Sequence, residues 1–216
     1  MGNSGSLLAQ PKSLPFQWPL RPQVLSHGSV RLEPIDSAHF LALSELAGEE
    51  DIWRYMTYAR LTDADALRRW IDAAAQANTL GAELNFAIVD ERSGKAVGGT
   101  SLYRVVPEHR RLELGKSWIG APYRRTHVNT TAKYLMLQHA FETVGANRVE
   151  LNTDIRNLRS QKAIERIGAK RDGVLRAHTI MRDGHVRDTV NYSVTFRDWP
   201  DVKAHLTAML KTRPPE

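Results

Sequence analysis

The sequence contains no cysteine. That excludes disulfides, thiolate metal sites and a cysteine nucleophile together, and it suits a reducing compartment such as the cytoplasm. No apolar run approaches the ~18–20 residues a membrane-spanning helix needs, so no membrane partner is expected. His127, His139 and His178 show no His-x-x-x-His spacing with a third ligand nearby, and no metal is expected. A Gly-x-Ser-x-Gly elbow is also missing, which removes the serine-hydrolase arrangement. The net charge is +6, yet the basic residues are scattered, with no Lys/Arg block and no aromatic-interleaved RNA motif. A solubilising surface or a phosphorylated small molecule accounts for that charge better than nucleic acid does.

What is present reads as an ordinary globule. The 216 residues suit one medium domain, and 42% hydrophobic against 25% charged residues supply a real core. Residues 1–28 carry Pro11, Pro15, Pro19 and Pro22, with no basic start and no long apolar stretch. They read as an irregular arm packed on the surface, not as a secretory leader. Met1-Gly2 with Ser6 fits the loose myristoylation pattern, but nothing else suggests a lipid anchor and the match is read as chance. Residues 29–216 read as a single domain.

Within that domain, Ser29 to Pro34 alternates as a short strand, and Asp36 is placed to cap a helix through about Leu46. An aromatic-rich connection, Ile52-Trp53-Arg54-Tyr55-Met56, leads to a second helix capped by Thr62 or Asp63. Strands follow at Leu84 to Val89, Ala96 to Val105 and Leu112 to Ile119, with Gly94 in the first turn between them. A long helix is expected from Thr130 or Thr131 to Val144, with Gly145 just past its end. Then come a strand at Asn147 to Thr153 and a helix from Asn157 or Leu158 to Ile167. A strand pair, Gly173 to Met181 and Asp188 to Phe196, turns at Asp183-Gly184 before a terminal helix from Asp198 to Leu210. This order predicts a mixed α/β fold, one mixed sheet with helices on both faces.

Two places could carry chemistry. After Trp118-Ile119, a short loop, Arg124-Arg125-Thr126-His127-Val128-Asn129, runs into the long helix at Thr130-Thr131. Unpaired N–H groups at a helix start, reinforced by the dipole and by two arginines, suit a pyrophosphate. A plain capped helix with exposed arginines fits the same residues. Asn157 and Ser160 open the next helix, where a simple cap explains them equally well.

The combination of segments is more specific than either place alone. Ile52 to Met56, Leu112-Glu113-Leu114-Gly115, the loop and helix from Asn129 to Glu142, and Asn157-Leu158-Arg159-Ser160-Gln161-Lys162-Ala163-Ile164-Glu165-Arg166-Ile167-Gly168-Ala169 occur in order. Together they resemble the GNAT acetyltransferase superfamily, RimJ/RimL-like branch, over roughly Val30 to Phe196. The last segment is similar to that branch's Asn-x-x-Ser-x-x-x-x-Glu-x-x-Gly-Phe signature, with Ala169 replacing Phe. The resemblance implies the acyl-CoA N-acyltransferase fold, with a mostly antiparallel mixed sheet, and acetyl-CoA as co-substrate without a metal. It implies a V-shaped opening between the strand ending near Ile119 and the strand Asn147–Thr153. The pantetheine arm would pair there with backbone at Trp118 and Ile119. Residues Arg124 to Asn129 with Thr130 and Thr131 would hold the pyrophosphate, Asn157 the pantetheine amide, and Ser160 would sit near the sulfur.

One departure stands out. Aligned on Arg124, the two glycines of the family's pyrophosphate loop become His127 and Asn129, both types that tolerate positive φ better than most. Acetyl transfer to an amine needs a base, because an alkylammonium must first lose a proton. Glu113, on the strand leading to the opening, is the expected base, with a salt-bridged strand residue near Arg110 and Arg111 as the alternative. The tyrosine that many members use as acid is matched by Ile164, which leaves Ser160 to hydrogen-bond the departing thiolate. Trp53 and Tyr55 wall the acceptor pocket or fill the core. The expected acceptor is a primary amine on a peptide N-terminus or a small molecule. A CoA-binding or ribosome-associated module without turnover is the alternative, and a homodimer stays open.

Overall fold

The structure, a computed structural model, describes residues 14–57 and 61–212. The Met1-Gly2 pattern and the first part of the arm lie outside these residues. Eight strands form one sheet: β1 (Leu25–His27), β2 (Val30–Pro34), β3 (Leu84–Asp90), β4 (Lys95–Val106), β5 (Arg111–Ile119), β6 (Arg148–Asp154), β7 (Lys170–Ile180) and β8 (Val186–Thr195). Their spatial order is β1-β2-β3-β4-β5-β6-β8-β7. Every neighbouring pair is antiparallel except β5 and β6. All seven residues of β3 are buried, as expected for a central strand covered on both faces.

The helices are α1 (Phe40–Ala47), α2 (Glu50–Trp53), α3 (Ala64–Leu80), α4 (His127–Gln138), α5 (Leu158–Arg166) and α6 (Trp199–Thr212). Alternation along the strands separates two cores. One face sends Leu84, Phe86, Ile88, Leu102, Leu112, Leu114, Val149 and Leu151 into the larger core with α4, α5 and α6. The other face sends Ala87, Val89, Ala96 and Trp118 against α1, α2 and α3. Asp63 caps α3 by accepting the amide of Ala66, so the choice between Thr62 and Asp63 falls to the carboxylate.

Several boundaries differ from expectation. The aromatic connection, Ile52 to Met56, begins inside a short helix, α2, that starts at Glu50. The long helix begins at His127, one turn before Thr130, because Thr126 supplies the cap: its Oγ1 accepts from the Val128 amide at 3.3 Å. It ends in a π-turn, His139–Thr143, followed by Gly145 at φ +78°. β8 lies between β6 and β7, so the last hairpin is inserted inward. The arm is less irregular than its prolines suggest. Leu25–His27 is an edge strand and Leu20 is buried in the larger core. The arm crosses the molecule at two helix ends, where Gln17 donates to the Val144 carbonyl and Leu20 to that of Gly81. A Cβ on Gly81 or Gly145 would lie 2.6 Å from an arm carbonyl, so these left-handed positions also need glycine for close approach.

Candidate functional site

β5 and β6 are joined by only three residue pairs: Arg111 with Arg148, Leu112 with Val149, and Glu113 with Glu150. Beyond them the strands part. A bulge bends β5 there: Gly99 pairs with Trp118 and Ser101 with Gly115, so Thr100 alone faces Lys116 and Ser117. Lys116 takes φ +49° to make it. Bulges bend the bulged strand and raise its local twist. Leu114–Ile119 and Leu151–Asp154 therefore form the two arms of a wedge, each with main-chain groups toward the gap. The opening expected from the sequence is present.

At its apex sits Glu113, 4% exposed. The Tyr103 hydroxyl donates to Oε1 through a short hydrogen bond, and Arg104 Nη1 donates to Oε2 at 3.1 Å. Arg110 and Arg111 are not its partners; Arg111 pairs with Glu150 instead.

The first arm ends in Gly120 and a tight turn into α4. Arg125, exposed, takes φ +64°, the left-handed conformation glycine normally supplies. His127 and Asn129 are helical, so the expectation that they replace the loop glycines as positive-φ residues is corrected. His127 turns away from the loop to Ser29 Oγ at 2.7 Å, and burial lowers its pKa below the ordinary histidine value. Val128, Thr130 and Thr131 face inward, and Thr131 Oγ1 donates to the His127 carbonyl. Thr126 Oγ1 also donates to the Tyr123 carbonyl. What this end of α4 presents is thus its first-turn amides more than its hydroxyls. The Arg124 guanidinium reaches Glu49 at 2.8 Å and Asp51 at 3.5 Å, and its Nε donates to the Ile119 carbonyl at 3.1 Å. Asp51 also meets Arg159 of the opposite arm at 3.2 Å, so the acidic start of α2 spans the mouth of the wedge.

The second arm ends in Asp154 and α5. Asn157 caps α5, its Oδ1 accepting the Ser160 amide at 3.0 Å, which leaves its Nδ2 to face outward partners. The half-buried Ser160 lies within that first turn. Glu165 accepts the Tyr192 hydroxyl at 2.9 Å, and Gly168 ends the helix at φ +92°. Ile164 is a core residue.

Trp53 is a correction. It is 0% exposed, its Nε1 donates to the Ala47 carbonyl, and its ring packs 5.3 Å from that of Trp118. It belongs to the smaller core and not to a pocket wall. Trp118 is buried in the same stack, with its backbone on β5 and its ring also 6.5 Å from Trp70. Tyr55 is half-buried, with the Arg54 and Arg156 guanidiniums 5.7 and 5.8 Å from its ring centre. Close by, Glu50, Asp51, Arg54, Met181, Arg182 and Asp183 line a cavity of about 640 Å³ between α2 and the β7–β8 turn.

Sequence reasoning missed several residues of this region. Lys133 of α4 is buried in the larger core, its Nζ 2.6 Å from Ser117 Oγ of the bulge, and desolvation lowers its pKa to about 8. Asn152, Asp154, Arg187, Thr189 and Asn191 lie on the same sheet face as Glu113, as the registers of β5, β6 and β8 require. Their signal was the polar residue at every second position of both strands.

Residues 29–170 match the family described as the acetyltransferase (GNAT) domain. The chain belongs to the GNAT acetyltransferases. These enzymes use acetyl-CoA as co-substrate, and the paired strand edges, the helix-start amides and the Asn157 amide offer the donors and acceptors such a molecule needs. A protein from T. thermophilus described as an acetyltransferase is 37% identical, covering 88% of this chain and 97% of its own at a TM-score of 0.78. A GCN5-related N-acetyltransferase from Brucella melitensis is 28% identical, covering 88% and 86%, at 0.80. Mycobacterium smegmatis RimJ, solved with CoA-disulfide, shares the fold at 21% identity and 0.77, covering 91% and 96%. No curated protein matches the sequence. Among the described residues no group of acidic and histidine side chains could hold a metal, and no helix is long and apolar enough to cross a membrane.

Proposed function

We propose that this acetyltransferase acts on a primary amine, by direct attack of the amine on acetyl-CoA while both are bound, and that it belongs to the RimJ/RimL-like branch. The observation that carries the reading is the parting of β5 and β6 directly beyond Glu113, which opens main-chain edges next to a buried carboxylate. The branch assignment rests on Asn157, Ser160, Glu165 and Gly168 holding one capped helix at the end of the second arm.

In this reading the backbone at Trp118 and Ile119 lies beside the pantetheine chain, as an added strand would. The first-turn amides of α4, with Arg125 at their rim, hold the pyrophosphate. Asn157 Nδ2 meets a pantetheine carbonyl, and Ser160 lies toward the thioester. Arg124 stands behind the loop as a positioning residue, because Glu49, Asp51 and the Ile119 carbonyl already take its donors. Glu113 takes the proton from the ammonium, directly or through water. The amine nitrogen then forms its bond to the acetyl carbon as the carbon–sulfur bond breaks, and the second proton that the nitrogen sheds ends on the departing thiolate, which accepts a hydrogen bond from Ser160 as it leaves. Aligned dipoles and a fixed approach supply much of the rate in such a site. Tyr55, next to Arg54 of the cavity lining, stands beside the approach of the amine. The domain spans residues 29–216 and works in the cytoplasm.

A thiol-release screen against N-terminal peptides, polyamines, aminoglycosides and amino acids tests the reading, with acetyl-CoA affinity measured in parallel by calorimetry. Turnover with at least one amine class is expected. Acetyl-CoA binding without thiol release across the panel would leave a non-catalytic CoA-binding module in its place.

A further inference from the structure

On the sheet face that carries Glu113, carboxylates and guanidiniums do not balance. Glu113 has the Arg104 guanidinium and the Tyr103 hydroxyl. Asp154, fully buried, is gripped by Arg156, whose Nε lies 3.1 Å from Oδ1 and whose Nη2 lies 2.8 Å from Oδ2. A third guanidinium, Arg187, is 7% exposed, and its Nε donates to Thr189 Oγ1 at 3.0 Å. Among the described residues no carboxylate oxygen lies within ion-pair distance of it. It feels Asp154 and Glu113 only at longer range, and burial pulls its pKa below the usual arginine value. A buried guanidinium keeps its charge, so an unmatched one is costly unless something anionic meets it.

Two further groups on this face want partners. Asn152 and Asn191 are directly opposite each other on β6 and β8, and both Oδ1 atoms are buried with no hydrogen bond among the described residues. Gly173 is the β7 neighbour of Asn191, and the space a Cβ would occupy there is empty. Two amide oxygens call for N–H donors, and one spare guanidinium calls for an oxyanion. Arg187 and Asn191 alternate along β8 through Thr189, so both demands fall on a single small area, with Glu113 on the same face.

We infer that the acceptor carries an oxyanion close to its amine: Arg187 binds that carboxylate or phosphate while Asn152 and Asn191 receive the amine hydrogens near Glu113. This deepens the amine acetyltransferase reading and rests on it. Neutral amide oxygens suit the task, since they orient an ammonium without stabilising its charge as a carboxylate pair would. The assignment favours amino acids or phosphorylated amino alcohols over polyamines, aminoglycosides and the N-termini of long peptides.

Matched pairs separate the two oxyanions: glycine against glycinamide, and phosphoethanolamine against ethanolamine, with a tripeptide amide as peptide control. Binding is measured by calorimetry in the presence of CoA, and thiol release with acetyl-CoA. In the wild-type chain at least one anionic member should bind about 10- to 100-fold more tightly than its neutral partner, as a charge-assisted contact in a buried site implies. Arg187→Gln should erase that preference, and Arg187→Lys should restore part of it. Equal binding within both pairs, or a tripeptide amide bound as tightly as the acids, overturns the assignment even if Arg187→Gln does not fold. Acid-selective binding without any thiol release would instead remove the acetyltransferase reading and leave the oxyanion site standing.

Discussion

One face of a single sheet changes character half-way across. Over β3 and β4 and the end of β5 it is mostly apolar, with Ala87, Val89, Ala96 and Trp118 sealed beneath α1, α2 and α3 and its buried polar pair, Asn85 and Ser101, hydrogen-bonded to each other. From Tyr103 and Glu113 through β6 and β8 it is polar: the buried carboxylates Glu113 and Asp154 are each held by an arginine, and the buried Arg187 has no carboxylate partner among the described residues. The alternation of side chains is the same in both halves; only the residues at inward positions differ. Apolar burial stabilises without needing partners, whereas each buried polar group is tolerated only when its partner is in place. The first half therefore holds the fold, and the second gives up stability for groups able to act on a ligand.

That contrast can be broken by experiment. Trp53→Ala removes a fully buried ring from the apolar half and should lower unfolding free energy by about 3–5 kcal/mol in denaturant titrations. The enzyme that remains folded should keep its turnover. A milder loss would mean that the Trp53–Trp118 stack is not a fold determinant.

Lys133 carries the contrast to the other face of the sheet, as a buried cation of α4 whose Nζ meets the Ser117 hydroxyl. Its folded pKa of about 8 lies below the ordinary 10.5, so between those values the unfolded chain binds the extra proton. Stability should rise as pH climbs from 8 to 10.5, by about 3 kcal/mol at most at ~1.4 kcal/mol per unit. Lys133→Met should raise the Tm at pH 7 and flatten that rise. If the pH dependence survives in the variant, Lys133 is not its source.

Glu113→Gln reverses the Trp53 pattern. Turnover should fall about 100-fold, most strongly at low pH where the amine is protonated, with acetyl-CoA affinity nearly intact. Unchanged kcat across the pH range would take Glu113 out of the chemistry. The smallest effect is expected at the rim. Asn157→Ala should weaken acetyl-CoA binding roughly tenfold, from the lost amide contact and a lost helix cap. Calorimetry showing no change would leave Asn157 a cap and nothing more.

The apolar half was far more legible in the sequence than the polar one. Alternation gave β2 to β5 to within a residue or two, and Asp63 was one of two possible caps for its helix. Thr126 was harder: Thr126, Thr130 and Thr131 are all competent caps, and only the Tyr123 carbonyl and the Val128 amide select the first. Trp53 was ambiguous because an aromatic residue on a short helix fills a core or lines a pocket with the same spacing. Glu113 was singled out through the family resemblance, but its neighbours Tyr103 and Arg104 depend on the β4–β5 register, a long-range fact no local pattern contains. Arg187, Asn152 and Asn191 were visible as alternating polar positions, which by default describe a strand face turned to water. Their burial follows from strand order, with β8 placed between β6 and β7.

The three-pair join of β5 to β6 has a thermodynamic consequence. β2–β5 and β6–β8 are each laced by longer antiparallel ladders, so within the body of the sheet amide exchange should find its weakest bonds at the seam and along the open edges beyond it. A strand-like ligand laid between those edges acts as a ninth strand. Saturating CoA should then slow exchange on Leu114–Ile119 and Leu151–Asp154 together, drawing the two laminae toward one cooperative melting unit.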